Sequence, residues 1–190
     1  MIFISPAKSG TTSLGKAMQI LGYETYGWNP DIFSIDQYKK INEFNRIVSN
    51  LKYIDYESNA ILDIQRCFIF VKNFIQRHKL NCFHDYPLGH EFFDPVLKKI
   101  IFPEAKFIFS IREPKLLYDS MRSHYDLHSF SDEYFELLLN AYKSRYEIIK
   151  NQFNKDVLFY ELGSGWESVC KFLEKKIPDQ DFPYENKRGV

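Results

Sequence analysis

Cysteine is scarce in this chain, and its spacing excludes several protein classes. The 190 residues include three cysteines, Cys67, Cys82 and Cys170, which lie far apart and form no Cys-x-x-Cys pair. An odd number of widely spaced cysteines argues against a disulfide framework and does not match the ligand spacing of a zinc site. We therefore expect buried, reduced thiols, as is typical of a cytoplasmic protein.

Long apolar runs and an excess of charge of one sign are also missing. No run reaches the ~18 consecutive apolar residues that a membrane-spanning helix needs, and the opening residues lack the charged lead of a secretory signal. Lys plus Arg and Asp plus Glu both number 25, so no global field attracts nucleic acid or an anionic membrane. We expect a cytoplasmic protein with no membrane span and no nucleic-acid partner, in which any anion-binding site is local.

The composition that remains is that of a folded domain. Apolar residues make up 45% of the chain and charged residues 26%, which is the balance of a globular protein. A chain of 190 residues can bury one sizeable core, and no linker or internal repeat divides it. We therefore predict that residues 1–190 form a single domain.

Strand and helix patterns alternate along the chain. Residues 1–5 form a β-branched and aromatic run that stops before a proline, and residues 14–21 then carry apolar side chains at helical spacing. The same criteria predict a short strand that begins at 82–83 and stops at 85–87, and further strands at 106–111 and 156–160. They predict helices at 35–51, 66–78, 92–102, 114–125, 131–153 and 166–175. Alternating strands and helices predict an α/β fold, in which helices cover both faces of a parallel sheet to give three layers. Ligands of such sheets bind beyond the carboxyl ends of the strands.

The first strand and first helix are joined by a loop of small residues, Pro-Ala-Lys-Ser-Gly-Thr-Thr-Ser-Leu at positions 6–14. Small residues let backbone N–H groups turn inward around an anion, and the start of the helix adds partial positive charge. The predicted phosphate-binding residues are Lys8, Ser9, Gly10, Thr11, Thr12 and Ser13. Lys8 supplies a charge, and the hydroxyl groups supply further donors.

This loop differs from that of the nucleotide triphosphatases, G-x-x-x-x-G-K-[ST], where lysine directly follows the second glycine. When the two are aligned on Gly10, Thr11 stands at that position and the lysine lies earlier, as Lys8. The departure argues against an ATPase or GTPase and favours a relative of that loop.

A second candidate anion site follows the strand at 106–111. The strand runs directly into Arg112-Glu113-Pro114, and Ser120 follows Arg112 by eight residues. A planar guanidinium at the end of a strand can clamp a phosphate. Ser120 lies about two turns into the helix that Pro114 begins, which returns its hydroxyl towards the same crevice.

Together the two motifs resemble those of the sulfotransferases that use 3′-phosphoadenosine 5′-phosphosulfate (PAPS). The loop at 6–14 resembles the family's 5′-phosphosulfate loop, P-K-[ST]-G-T-T-x-L, with Ala7 as an extra residue. Arg112 and Ser120 resemble its 3′-phosphate motif. The resemblance implies a P-loop NTPase-like sulfotransferase fold, PAPS as the donor with adenosine 3′,5′-bisphosphate as the product, and no metal.

The C-terminal part resembles a small branch of that family. The shared series is Gly165-Trp166, Phe172-Leu173, Ile177-Pro178, Phe182-Pro183 and Asn186. Lys187, Arg188 and Gly189 resemble a basic element of the family that reaches the 3′-phosphate. Tyr160 resembles a tyrosine that borders the adenine, although a core tyrosine that closes a strand is an equal alternative.

The acceptor needs a base to take its proton. The family's soluble members carry a histidine two residues before a proline, and here Asp85 has that position before Pro87. His84 is the alternative, because its intrinsic pKa suits a base better than that of an aspartate. Strand alternation lets only one of the two point inward, and we favour Asp85.

The resemblance implies that a sulfuryl group is transferred to a hydroxyl group or amine of a small molecule or glycan. One alternative is an ATP-dependent small-molecule kinase, with residues 60–63 as an apolar strand that ends in a metal-binding Asp63. The displaced Lys8 argues against that alternative. The other is a catalytically inactive nucleotide-binding relative, because a fold does not by itself establish activity.

Overall fold

The computed structural model describes residues 2–5, 9–27, 39, 69, 72–84, 102–124, 132–152 and 155–185. The strands are β1 (Ile2–Ser5), β2 (Thr25–Tyr26), β3 (Cys82–Phe83), β4 (Lys106–Ile111) and β5 (Val157–Glu161). The helices are α1 (Thr11–Ile20), α2 (Pro114–His124), α3 (Asp132–Gln152) and α4 (Glu167–Leu173), and residues 72–77 are also helical. The described strands form one sheet in the order β2-β3-β1-β4-β5.

Most of the predicted elements are confirmed where the structure describes them. Strand β2 was not predicted, because two residues are too short to show a periodic pattern. Helix α4 ends at Leu173 rather than at 175, because Glu174 adopts a left-handed conformation with φ of 56°. Of the helix predicted at 35–51 only Lys39 is described, and it is helical; of that at 92–102 only Phe102 is described, and it is not.

All pairings between the described strands are parallel, as predicted. Strand β1 lies between β3 and β4, with Ile2 opposite Lys106 and Ser5 opposite Phe109. The carboxyl ends of parallel strands meet at one edge of a sheet. The loop after Ser5 and the residues that follow β3 and β4 therefore start from the same edge.

Apolar side chains pack into two clusters on the sheet. Ile108 and Tyr160 belong to a cluster that also contains residues of α1 and α4. Phe109 instead packs with Ile149 and Tyr146 of α3. Because successive residues of a strand point to opposite sides of the sheet, the two clusters lie on opposite sides of β4.

The two described cysteines are free thiols in the core, as expected. Burial raises the pKa of the Cys82 thiol, and it also raises the pKa of Cys170. Both groups are therefore protonated and unreactive at neutral pH. Cys67 lies outside the described residues. No helix within the described part of the chain is long and apolar enough to cross a membrane.

Candidate functional site

Helix α1 begins with an open amino terminus. Gly10 is its N-cap residue, and the N–H of Leu14 donates to the Gly10 carbonyl oxygen at 3.0 Å. Among the residues that the structure describes, no side chain caps the helix, and its first turn contains no acidic residue. The first N–H groups of an α-helix have no acceptor within the helix. The partial positive charge at this end of α1 therefore suits an anion.

The hydroxyl side chains of this turn differ in exposure. Ser9, Thr11 and Ser13 are buried, whereas Thr12 is exposed. Ser13 already accepts a hydrogen bond from the backbone N–H of Glu185, at 2.9 Å between Oγ and nitrogen. Of these four hydroxyl side chains, that of Thr12 is thus the most open to a ligand.

A serine in β4 ties this loop to the neighbouring strand. The Ser110 hydroxyl is fully buried and donates to the carbonyl oxygen of Ser9. Ser110 lies two residues before Arg112, so this bond joins the loop after β1 to the strand that leads into the arginine. Sequence reasoning missed Ser110, although a serine within an otherwise apolar strand pattern was a signal of such a role.

Gly10 adopts a left-handed conformation and contacts a residue that follows β5. Its φ is 93°, a value that L side chains rarely adopt, and the side chain of Leu162 packs directly against it. A Cβ atom at position 10 would overlap Leu162. The loop is therefore held by residues that follow β5 as well as by β4.

Arg112 follows β4 and is partly buried at the edge of the sheet. Its neighbour Glu113 caps α2, because the Glu113 carboxylate accepts hydrogen bonds from the N–H groups of Lys115 and Leu116 at 3.0 and 2.9 Å. Ser120 is half-buried and lies one turn after the buried Leu117, on the same side of α2. The structure thus puts Arg112 on the predicted edge and turns Ser120 towards the protein.

The His84 imidazole lies between two glycines. A Cβ atom at Gly15 would lie 2.5 Å from three atoms of the His84 ring, and one at Gly27 would overlap the same ring. The backbone N–H of His84 donates to the Tyr26 carbonyl oxygen at 3.0 Å. Since Gly15 comes four residues after Thr11, the ring packs about one turn from the start of α1.

Of the remaining predicted site residues, the structure describes only Tyr160. Tyr160 is fully buried, its ring stacks on Phe182 and its hydroxyl donates to the Gly165 carbonyl oxygen at 3.4 Å. This arrangement fits the core role that sequence analysis left open for Tyr160, and the role beside the adenine stays a prediction. Lys8, Asp85, Lys187, Arg188 and Gly189 lie outside the described residues, and their roles stay predictions.

Comparison with known proteins identifies a family. The sequence profile described as Sulfotransferase domain matches residues 1–139 and 127–190, which together span the whole chain. The matched ranges include the loop after β1, Arg112 and the residues that follow α4. A search of curated proteins returned no significant match.

We expect the Glu113 cap to contribute stability that depends on pH. Its hydrogen bonds from Lys115 and Leu116 lower the pKa of the Glu113 carboxyl below its usual value. The contribution is therefore complete above the unfolded pKa of about 4.3 and is lost as the pH falls through the lower folded value. Glu113→Gln should have a lower Tm than wild type at pH 7, and the difference should shrink below pH ~4. Glu104→Gln, at an exposed turn, is the control. An equal decrease in Tm in both variants, independent of pH, would contradict the capping role of Glu113.

Because the His84 ring packs against Gly15, we expect the effect of Gly15→Ala on stability to change sign when His84 is removed. In the His84→Ala background, Gly15→Ala should stabilise the protein by about 1 kcal/mol, because alanine is the better helix former. With His84 present the added methyl group overlaps the ring, and the same substitution should destabilise by about 1–3 kcal/mol. Urea unfolding of the four proteins measures both values. A similar effect of Gly15→Ala in both backgrounds would show that the ring does not occupy this space.

Proposed function

The chain belongs to the sulfotransferase domain family, and we propose that it transfers a sulfuryl group from PAPS to a hydroxyl group or amine of a small molecule or glycan. Membership of the family supports sulfuryl transfer and an α/β P-loop-like fold. The choice of PAPS, the three-layer arrangement of the sheet and helices, and the class of acceptor are parts of the proposal. The observation that carries it is the hydrogen bond between Ser110 and Ser9, because it ties the two candidate anion sites to one edge of the sheet.

The donor carries a phosphate group at each end, and the proposal gives each end its own site. The first-turn amides of α1, together with Lys8 and Thr12, bind the 5′-phosphosulfate. Arg112 and Ser120 bind the 3′-phosphate, and Lys187 and Arg188 add positive charge there. The open amino terminus of α1 and its lack of first-turn acidic residues support the first assignment. The position of Arg112 directly after β4 supports the second.

The proposed chemistry is an in-line displacement at sulfur. The acceptor oxygen or nitrogen forms a bond to sulfur while the bond from sulfur to the 5′-phosphate oxygen breaks, and the acceptor proton passes to a base. Lys8 and the amides of α1 stabilise the negative charge that grows on the leaving phosphate. No step requires a metal.

Asp85 is the proposed base, and His84 is the alternative. An aspartate is a weak base for an alcohol, but it suffices if the proton leaves late, as the bond to sulfur forms. The position of the His84 ring about one turn from the start of α1 supports keeping it as the alternative.

Steady-state kinetics of variants test the division of roles. Lys8→Ala should lower kcat by about 10²-fold or more, the scale for removal of a group that stabilises transition-state charge. Arg112→Ala and Ser120→Ala should mainly raise the donor KM, because they hold the nucleotide but do not contact the bond that breaks. Lys16→Ala, which removes an exposed lysine of α1, is the control. The roles assigned to Lys8 would be wrong if Lys8→Ala and Lys16→Ala had equal kcat.

Ligand-induced stabilisation separates this proposal from an ATP-dependent kinase. A ligand at 100 times its Kd stabilises the native state by about 2.7 kcal/mol, so adenosine 3′,5′-bisphosphate should raise Tm clearly. ATP with Mg²⁺ at the same concentration should have little effect. The opposite order would overturn the proposal in favour of a kinase. Stabilisation by the bisphosphate without sulfate transfer to phenols, alcohols, sugars or amines would indicate an inactive relative.

A further inference from the structure

The peptide group between Ser9 and Gly10 has its two ends in different surroundings. The Ser9 carbonyl oxygen accepts the hydrogen bond from the Ser110 hydroxyl, and the side chains of both serines are fully buried. In a trans peptide group the C=O and the N–H point in opposite directions. Because the carbonyl oxygen points to β4, the Gly10 N–H points away from that strand.

The Gly10 N–H joins the N–H groups at the start of α1. Gly10 is left-handed, with φ of 93° and ψ of 21°, and the right-handed helix begins at the next residue, Thr11. Successive residues of opposite handedness direct their N–H groups into one concavity that suits an anion. The N–H groups of Gly10, Thr11 and Thr12 therefore form one set of donors, at the end of α1 that carries partial positive charge.

A glycine at position 10 does not fix this orientation by itself. A flip of the peptide group before Gly10 changes the φ of Gly10, and glycine populates positive and negative φ about equally. The flipped peptide group would direct the Ser9 carbonyl oxygen into the concavity, where its partial negative charge repels an anion. The flip would also break the hydrogen bond of the buried Ser110 hydroxyl, which costs free energy. Ser110 therefore favours the orientation that suits an anion.

We propose that Ser110 is a positioning residue: its hydroxyl holds the Ser9 carbonyl oxygen on β4 and thereby keeps the Gly10 N–H directed at an anion bound at the start of α1. The inference rests on the proposed function, in which this anion is the 5′-phosphosulfate of the donor. The Ser110 side chain is fully buried, so it acts through the peptide group and not by contact with the donor. It raises the population of the binding-competent conformation, and the apparent affinity of the donor rises with that population.

Ser110→Ala removes the hydroxyl, and Ile108→Val is the matched control. Ile108 is fully buried and lies two residues earlier in β4, on the same side of the sheet. Calorimetric titration with adenosine 3′,5′-bisphosphate should give Ser110→Ala a Kd about tenfold above that of wild type, the weight of one hydrogen bond to a charged group. Ile108→Val should lower Tm by a similar amount, because it removes a buried methylene group, and it should leave Kd unchanged.

A ligand without the 5′-phosphate separates this role from a general loss of structure. Adenosine 3′-monophosphate lacks the group that faces the Gly10 N–H. Its Kd, measured by competition with the bisphosphate, should therefore be the same in wild type and Ser110→Ala. Ser110→Thr keeps a hydroxyl on the same carbon atom and should bind the bisphosphate with a Kd within about twofold of wild type. If Ser110→Ala does not fold, Ser110→Cys replaces it, because a thiol is a weaker donor.

The outcomes separate this inference from the proposed function. Equal bisphosphate Kd values for wild type and Ser110→Ala overturn the positioning role and leave the proposed function intact. The positioning role is also overturned if Ser110→Ala loses affinity equally for both nucleotides, or if Ser110→Thr binds the bisphosphate as weakly as Ser110→Ala does. A wild-type protein that binds neither nucleotide overturns the proposed function and, with it, this inference.

Discussion

The site depends on how the loop after β1 is fixed to the sheet. A buried hydroxyl costs free energy unless it is paired, and the Ser110 hydroxyl is paired with the Ser9 carbonyl oxygen. This hydrogen bond holds the loop against β4. Leu162 then packs on Gly10, whose left-handed conformation turns the chain into α1. In the proposed function, a loop that is held in this way would meet the donor already arranged, so that little reorganisation would be needed when charge develops there.

Helix α1 collects contacts from distant parts of the chain because its first turns are built of small residues. Gly10 leaves room for Leu162, and Gly15 leaves room for the His84 ring. The Ser13 hydroxyl receives the N–H of Glu185. Each contact comes from a different connection of the fold, and the contacts at Gly10 and Gly15 would be displaced by a larger side chain. Small residues in this stretch thus let the rest of the protein approach the backbone, and in the proposed function they also let the backbone approach an anion.

Sequence patterns predicted the regular elements well and the individual side-chain roles less well. Helices α2 and α3 were predictable because proline at a helix start and a long apolar periodicity are local signals. The Glu113 cap was not recognised, although a carboxylate before the first turn of a helix is a known capping arrangement. Tyr160 shows the limit of motif comparison: one residue at a strand end fits a ligand contact and a core position equally. Its packing against Phe182 shows the core position, and the ligand contact stays a prediction.

The order of the strands and helices other than β2, the small-residue composition of the loop after β1 and the membership of a sulfotransferase family were determined by the sequence itself, because periodicity and motif spacing are local properties. The tertiary structure decided which residues meet. The pairs Ser9 with Ser110, Gly15 with His84, and Ser13 with Glu185 are separated by between 69 and 172 positions. Such contacts arise when strands align in register and side chains fill the space between layers, and no local pattern records them.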